Sequence, residues 1–552
     1  MDDMARNLTP RPPLLGGEGE AQTPPRRGEG SQNAAPAQSL SPGRAGGLRG
    51  GTPLGAASAA SPANPATISP ASPAHVVILG GGIAGLSAAW RLQRTGERDG
   101  LPITYTLVEQ SDRWGGKIRS ERVERDGDHA AWVLEAGPDG LLTRKPWALA
   151  LARALRLENR FLFVASERAR TFVLRRGRPL PLPAGLQLLA PTAWAPFLRS
   201  PLFSPWGKLR MALEPLLPRR AASGGSGEAD ESLAAFVRRR LGSEALERVA
   251  EPLMAGVFNA EAERQSIQAT FPQFPALERE HGSVIRGLRA ARRKQPQPAS
   301  PQPPAFLSFA TGNQVLVDAL VARLTGTLRL QTAAHAITRN DDGGYMVHLD
   351  DGATLAADAV ILATPASVSA PLTRELAPQA AALLAGIRYA GIGAIYLAYR
   401  RDDVPHPLVG AGVVIPASEG RRIDGITWMS SKWSHRAPPG FALIRVFFGG
   451  PHTRGMLAVD DARLTAIVRE ELADILGIRA TPLFTRSFRW PDGYPQYDVG
   501  HLERVAAIEA ALPAGVVVAG SSYRGVGVPD CIHQGELAAA QVIETLASRI
   551  AV

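Results

Sequence analysis

Apolar positions first fall into a pattern at His75. HVVILG is a short continuous run rich in β-branched residues, as a strand buried on both faces requires, and IAGLSAAWRLQRTG follows with apolar residues at helical spacing. ITYTLVEQ, residues 103–110, predicts a second strand. Further on, GGYMVHLDDGATLAADAVILATPASV, residues 343–368, predicts a hairpin and then a buried strand ending at Thr364 and Pro365. Near the C-terminus VVVAGSSYRGVGVPDCIHQGELAAAQVI predicts strand, loop, helix. No such pattern precedes His75. Residues 1–73 are mostly Gly, Pro, Ala, Ser and Arg, with too few large apolar side chains to offset the entropy of ordering, so a disordered tail is expected. Pro-rich or Gly-rich residues 215–232 and 294–305 predict surface loops.

PLPLPAGLQLLAPTAWAPFL, residues 179–198, carries no charge, but its prolines argue against a membrane-spanning helix because each removes a backbone donor. Two readings stand. One is a surface that dips into a single leaflet, with Leu188, Leu189 and Trp194 at the interface and Arg199, Lys208 and Arg210 facing headgroups; the other is an ordinary buried loop.

Composition narrows the classes. The 552 residues exceed one compact core, and 45% apolar with 20% charged residues fits a soluble globular protein. Lys and Arg outnumber Asp and Glu by 61 to 51, a formal charge of +10 that favours anionic partners, including an acidic membrane surface. A single cysteine, Cys531, excludes an intrachain disulfide and a Cys-rich zinc site, and a reducing, cytoplasmic setting is expected. No charged segment followed by an apolar one reads as a secretory signal.

The candidate chemistry lies in the first strand–turn–helix. Gly80, Gly82 and Gly85 occupy the G-x-G-x-x-G positions, for a tight turn, close approach of a pyrophosphate and close helix packing respectively. Glu109, at the end of the second strand, suits ribose hydroxyls and repels a 2′-phosphate, which disfavours NADP. EQSDRWGGKIRS adds a second glycine pair, Gly115 and Gly116, between Arg113 and Lys117, bringing backbone and positive charge towards a diphosphate.

With this extension the chain resembles the FAD-dependent amine oxidases, carotenoid desaturases and protoporphyrinogen oxidases. The resemblance implies FAD, and adds Ile83, Ala84 and Gln110 to its contacts. Four further stretches narrow it to the oxygen-dependent protoporphyrinogen and coproporphyrinogen oxidases. LEAGPDGLLTRKP resembles the family's E-x-G-P-x-S-F-x-x-x-K-P segment, which implies FAD contacts at Gly137 and Pro138. EPLMAGVFNAEAERQSIQATFPQFPALEREHGSVIRGL resembles its P-L-x-x-G-V-Y-A-G-D block and the block after it. FLSFATGNQVLVDAL resembles the segment running into the adenine strand, near Ala334, and VGVPDCIHQG resembles the C-terminal flavin motif. The last implies FAD contacts at Gly520, Val526, Gly527, Val528 and Pro529, with Thr364 opposite, and a helix dipole aimed at the isoalloxazine. The chain departs from the pattern at Gly140–Leu141, at Asn259–Ala260–Glu261 and at Gly312–Asn313–Gln314.

The implied reaction is oxidation of a porphyrinogen to a porphyrin, with hydride passing to flavin and dioxygen reduced to peroxide. It calls for no metal, and the chain has no convincing catalytic triad. The substrate needs an apolar cavity rimmed by cations. From the resemblance, Arg144 is the propionate candidate, Tyr389 and Ile392 to Ile395 line the ring pocket, and Met254, Val257 and Phe258 face the flavin's substrate side. Cys531 is expected to be a small buried thiol rather than a covalent flavin attachment, and His281 and His533 are isolated. Another flavin amine oxidase or desaturase, and a non-catalytic binding protein like the GDP dissociation inhibitors, are the alternatives. Protoporphyrinogen and coproporphyrinogen stay equally open as substrates. Ferrochelatase and neighbouring tetrapyrrole enzymes are candidate partners, and nucleic acid is not.

The expected architecture is α/β. Residues 74–145, 305–368 and 500–552 form a discontinuous Rossmann-like FAD-binding domain. Residues 251–293 and 369–499 form an α+β substrate-binding domain, and residues 146–250 a small helical, membrane-associating subdomain.

Overall fold

The computed structural model describes residues 73–125, 131–164, 168, 170–187, 190–220, 230–294 and 304–550. Residues 1–72 of the expected tail and residues 221–229 and 295–303 in the two expected loops lie outside the described residues, as do Leu188 and Leu189. The elements that build the site begin with β1 (Ala74–Leu79), α1 (Ile83–Asp99) and β2 (Ile103–Val108). They continue with α2 (Glu251–Phe258), α3 (Gln314–Val321), β3 (Thr327–Arg329) and β4 (Ala359–Leu362). The last are β5 (Tyr389–Arg400), β6 (Phe441–Phe448), β7 (Phe484–Pro495), β8 (Val516–Val518) and α4 (Val528–Ile550).

Five parallel strands form one sheet in the order β3-β2-β1-β4-β8. Val76, Val77 and Ile78 are fully buried at its centre, which explains their uninterrupted apolar run. α1 and α4 pack on one face with Leu86, Leu92, Ile532 and Val542, while Ile337, Val347 and Leu384 close the other. The sheet therefore draws strands from distant parts of the chain, with its carboxyl ends converging on Gly80, Glu109 and Thr364.

A second sheet of seven strands runs β7-β5-β6 and continues through Gly425–Trp428 and Gly412–Val414 to Thr171–Arg175 and Arg178–Pro181. Those last two strands depart from the expectation of a helical segment over 146–250. Thr171–Arg175 instead pairs in parallel with Gly412–Val414, burying Val173 and Leu174. The uncharged stretch is built from short elements. It forms a short hairpin and the helix Trp194–Arg199, with Trp194 half-buried against Phe197 and the Arg289 guanidinium.

Helical packing dominates among the described residues between 205 and 294. Arg240 and Glu214 form a fully buried ion pair, and Glu214 also accepts the Ser283 hydroxyl and the backbone N–H of Val284 (2.9 Å) and Ile285 (3.2 Å). A buried pair survives only when its remaining hydrogen-bonding capacity is filled, and this one ties three segments together. No helix among the described residues is long and apolar enough to cross a membrane.

Candidate active site

The glycine loop between β1 and α1 is shaped by contacts that exclude side chains on one side and leave space on the other. Gly80 takes φ +106°, and a Cβ at Gly85 would lie 2.0 Å from the Gly80 carbonyl. At Gly82, by contrast, nothing lies within 4 Å of where a Cβ would be. That opening sits at the N-terminus of α1, where unpaired N–H groups favour an anion. Ile83 and Ala84 are buried beneath it.

Glu109 borders the loop. One carboxylate oxygen accepts the Gly81 N–H (2.7 Å), the other the Ser111 N–H (2.9 Å) and hydroxyl (2.7 Å). Gln110 is exposed beside it. The chain around Ala334 reaches the same place, since Thr332 N–H bonds the Glu109 carbonyl (3.0 Å). Gly115 N–H bonds the Gly81 carbonyl (2.8 Å), and Gly115 and Gly116 both take positive φ, so the second glycine pair lies along the first. Arg113 turns away from the expected role. Its guanidinium donates to the carbonyls of Gly116 and Ile118, so it holds the loop's shape.

The C-terminal loop closes the same end of the sheet. Gly520, at φ +116°, comes next to Ala84, and a Cβ at Gly80 would touch Thr364 N at 3.1 Å. Val526 and Gly527 are half-buried, and Val528 and Pro529 are buried at the start of α4. Tyr497 braces this loop, its hydroxyl donating to the Ser521 carbonyl (2.7 Å) and accepting the Gly525 N–H (2.8 Å). Its ring stacks on His501, which bonds the Tyr523 carbonyl (2.8 Å).

Lys117, Asp139, Tyr389 and Tyr494 are half-buried where the segments around Gly116 and Gly137 meet the seven-stranded sheet through Arg445 and Trp490, and we take the cleft to lie among them. Burial lowers the Lys117 ammonium, and the Asp492 charge acts against that shift. At Asp139 burial alone would raise the carboxyl, but Lys432 (2.8 Å) and Arg445 outweigh it and hold it well below the ordinary range. Gly137 and Pro138 are fixed by their carbonyls, which accept from Arg445 (3.0 Å) and Asn313 (2.8 Å).

The expected substrate residues divide. Tyr389 reaches the cleft, but its hydroxyl is engaged with Ala366 N–H and the Ser522 hydroxyl, both at 2.7 Å. Ile392 is half-buried opposite Trp490, whereas Ile395 lies in the core on the far side of the sheet. Val257 is exposed, but Phe258 is buried against Phe271 and Tyr497 and packs the core rather than the cleft. The Met254 side chain lies outside the description. Arg144 is exposed, with no ion pair among the described residues, while its neighbour Lys145 binds Asp530 at 2.6 Å.

Residues 83–543 match the family described as flavin containing amine oxidoreductase. The chain belongs to that family. The coproporphyrinogen III oxidase of Bacillus subtilis is 35% identical over 86% of this chain and 99% of its own length. That of Propionibacterium freudenreichii is 34% identical over 85% of this chain and 91% of its own. Among solved structures, that of a candidate protoporphyrinogen oxidase from an Exiguobacterium species has a TM-score of 0.73 and 29% identity, covering 86% of this chain and 99% of its own.

The loop geometry fits the family's flavin. The open backbone at Gly82 leaves room for a diphosphate, and Glu109 retains lone pairs for hydroxyl groups. Cys531 is buried, and burial followed by the Asp530 carboxylate pushes its thiol up to about 12, so it stays a protonated, unreactive group. Tyr523, the single aromatic of SSYRGVGVPD, is buried in the sheet core and does not flank the cleft as an amine oxidase's aromatic sandwich would. The residue pattern did not reveal Tyr497, Asp139 or Asp492. The Pro and Gly flanking Asp492 in RWPDGYPQY were the available signal, since they mark a distorted strand.

Proposed function

We propose that this protein oxidises coproporphyrinogen III to coproporphyrin III in tetrapyrrole biosynthesis, with non-covalently held FAD and dioxygen as terminal acceptor, releasing hydrogen peroxide. The observation that carries this reading is the end-to-end similarity to enzymes named for that substrate, at higher identity than the neighbour named for protoporphyrinogen. Bound FAD supplies a two-electron acceptor for each oxidation. The chain's own part is to place the macrocycle and exclude bulk water. FAD contacts are assigned to Gly80, Gly82, Gly85, Glu109, Lys117 and the 520–529 loop. Tyr389 and Ile392 line the ring cavity, and Arg144 meets a propionate at the mouth. Residues 74–145, 305–368 and 500–552 act as the cofactor domain, and 251–293 with 369–499, joined by the strands over 171–181, as the substrate domain. Oxygen-dependent appearance of porphyrin fluorescence with each porphyrinogen supplied separately tests the reaction.

We further propose a cytoplasmic enzyme held peripherally on the membrane. The supporting surface runs from the end of the uncharged segment onward, where Leu198, Trp206, Leu209, Leu213 and Leu216 are all exposed. Arg199 is exposed beside Leu198, whereas Arg210 is withdrawn to cap carbonyls of Arg238 to Arg240. At low salt the protein is expected to sediment with anionic liposomes, and the triple variant Trp206→Ser, Leu209→Ser, Leu216→Ser to stay in the supernatant. Equal sedimentation of the two proteins contradicts membrane docking through this surface.

A further inference from the structure

β7 is interrupted where it passes the cleft. Ala390 of β5 faces Tyr494 and Ile392 faces Trp490, so three residues, Pro491, Asp492 and Gly493, stand opposite Gly391 alone. Such a bulge bends its strand and re-aims a side chain. Both shoulders are fixed. Trp490 donates its indole N–H to the Ala136 carbonyl (2.9 Å), and the Gly391 carbonyl accepts the Asn259 amide (2.7 Å). Gly391 also has no room for a Cβ, which would lie 2.7 Å from the Pro491 carbonyl. The bulge is thus a built feature rather than a loose edge.

At its tip Asp492 is exposed, with no hydrogen bond or ion pair among the described residues. The Lys117 ammonium and the Tyr389 hydroxyl both feel its charge. The other carboxylates here are committed, Asp139 to Lys432 and Trp433 and Asp530 to Lys145, and the Tyr389 hydroxyl is engaged with Ala366 and Ser522. A porphyrinogen presents pyrrole N–H donors at its centre, and each oxidation must release one proton as well as one hydride.

We propose that Asp492 accepts the proton that leaves a pyrrole nitrogen in each oxidation, an assignment that rests on the porphyrinogen reading above. In one step a C–H bond of a bridging methylene breaks and its electron pair leaves as hydride to the flavin. The N–H bond of the adjoining pyrrole breaks, its electron pair stays with the ring system to complete the new double bond, and the proton goes to the Asp492 carboxylate. Solvent at the cleft mouth then takes the proton, returning the carboxylate for the next step.

Three variants test the assignment. Asp492→Asn is expected to retain flavin and melting temperature, to lose about 10²-fold in kcat with a smaller change in KM, and to bind the product porphyrin about tenfold more weakly by fluorescence quenching. Asp492→Glu is expected to recover part of the rate. Formate added to Asp492→Ala is expected to restore turnover in proportion to its concentration, which a merely structural residue would not allow. A kcat for Asp492→Asn within about threefold of the parent's overturns the assignment while leaving the porphyrinogen reading intact. Should Asp492→Asn lose its flavin, absence of formate rescue in Asp492→Ala overturns it instead. A flavin-loaded parent that oxidises no porphyrinogen overturns the reading itself, and the assignment with it.

Discussion

Gly82 and Gly85 lie three residues apart and answer the same substitution in opposite ways. A methyl group at Gly85 meets the Gly80 carbonyl at 2.0 Å, a backbone contact that cannot relax cheaply. Gly85→Ala is expected to cost about 3 kcal/mol or more of stability. A methyl at Gly82 meets nothing within 4 Å, and its φ of −70° suits alanine, so the apoprotein of Gly82→Ala should melt no lower than the wild-type apoprotein. It should nonetheless purify colourless, because that space is what a diphosphate would fill. Flavin absorbance per chain and apoprotein melting separate the two effects; a Gly82→Ala protein with full flavin content contradicts the cradle. At this scale the sequence was readable where spacing carries the chemistry, as at Gly80, Gly85 and Glu109. It was misleading at Arg113 and Phe258, because the direction in which a side chain turns depends on tertiary neighbours that periodicity does not encode.

At the scale of elements, the C-terminal loop depends on packing from outside the cofactor sheet. Tyr497 and His501 stack beneath it, and burial pulls the His501 imidazole down to about 4. The folded state therefore keeps His501 neutral over a range in which the unfolded chain, titrating near 6.5, takes up a proton. This lowered value means that stability is fully present above pH 6.5 and declines as pH falls towards 4, by about 3 kcal/mol in all. His501→Gln removes that linkage. Urea unfolding of both proteins from pH 7 to 4 should show the difference shifting steadily towards the variant, and parallel curves would contradict a buried neutral imidazole. Strands and helices around the glycine motif were legible because a buried parallel strand and an amphipathic helix differ in period. The strands over 171–181 were not, since a short edge segment acquires its pairing partner, Gly412–Val414, only in the fold.

For the molecule as a whole, the parallel sheet leads into the open backbone at Gly82, and the mixed one supplies Tyr389, Tyr494 and Asp492. The discontinuous α/β core could be anticipated because each of its pieces carries its own strand signal. The cleft's inner wall could not, because its groups are separated by hundreds of residues and meet only across β5 and β7. The position of the exposed apolar surface was likewise set by packing: Phe197 turned inward, while Trp206 was left outside. The central claim is an FAD-dependent porphyrinogen oxidation with preference for the tetracarboxylate substrate. Its most direct test is porphyrin fluorescence from the flavin-loaded protein in air, with coproporphyrinogen III and protoporphyrinogen IX supplied separately and anaerobic controls beside them. Faster, oxygen-dependent formation of coproporphyrin III is predicted; a yellow, folded protein that produces neither porphyrin would contradict it.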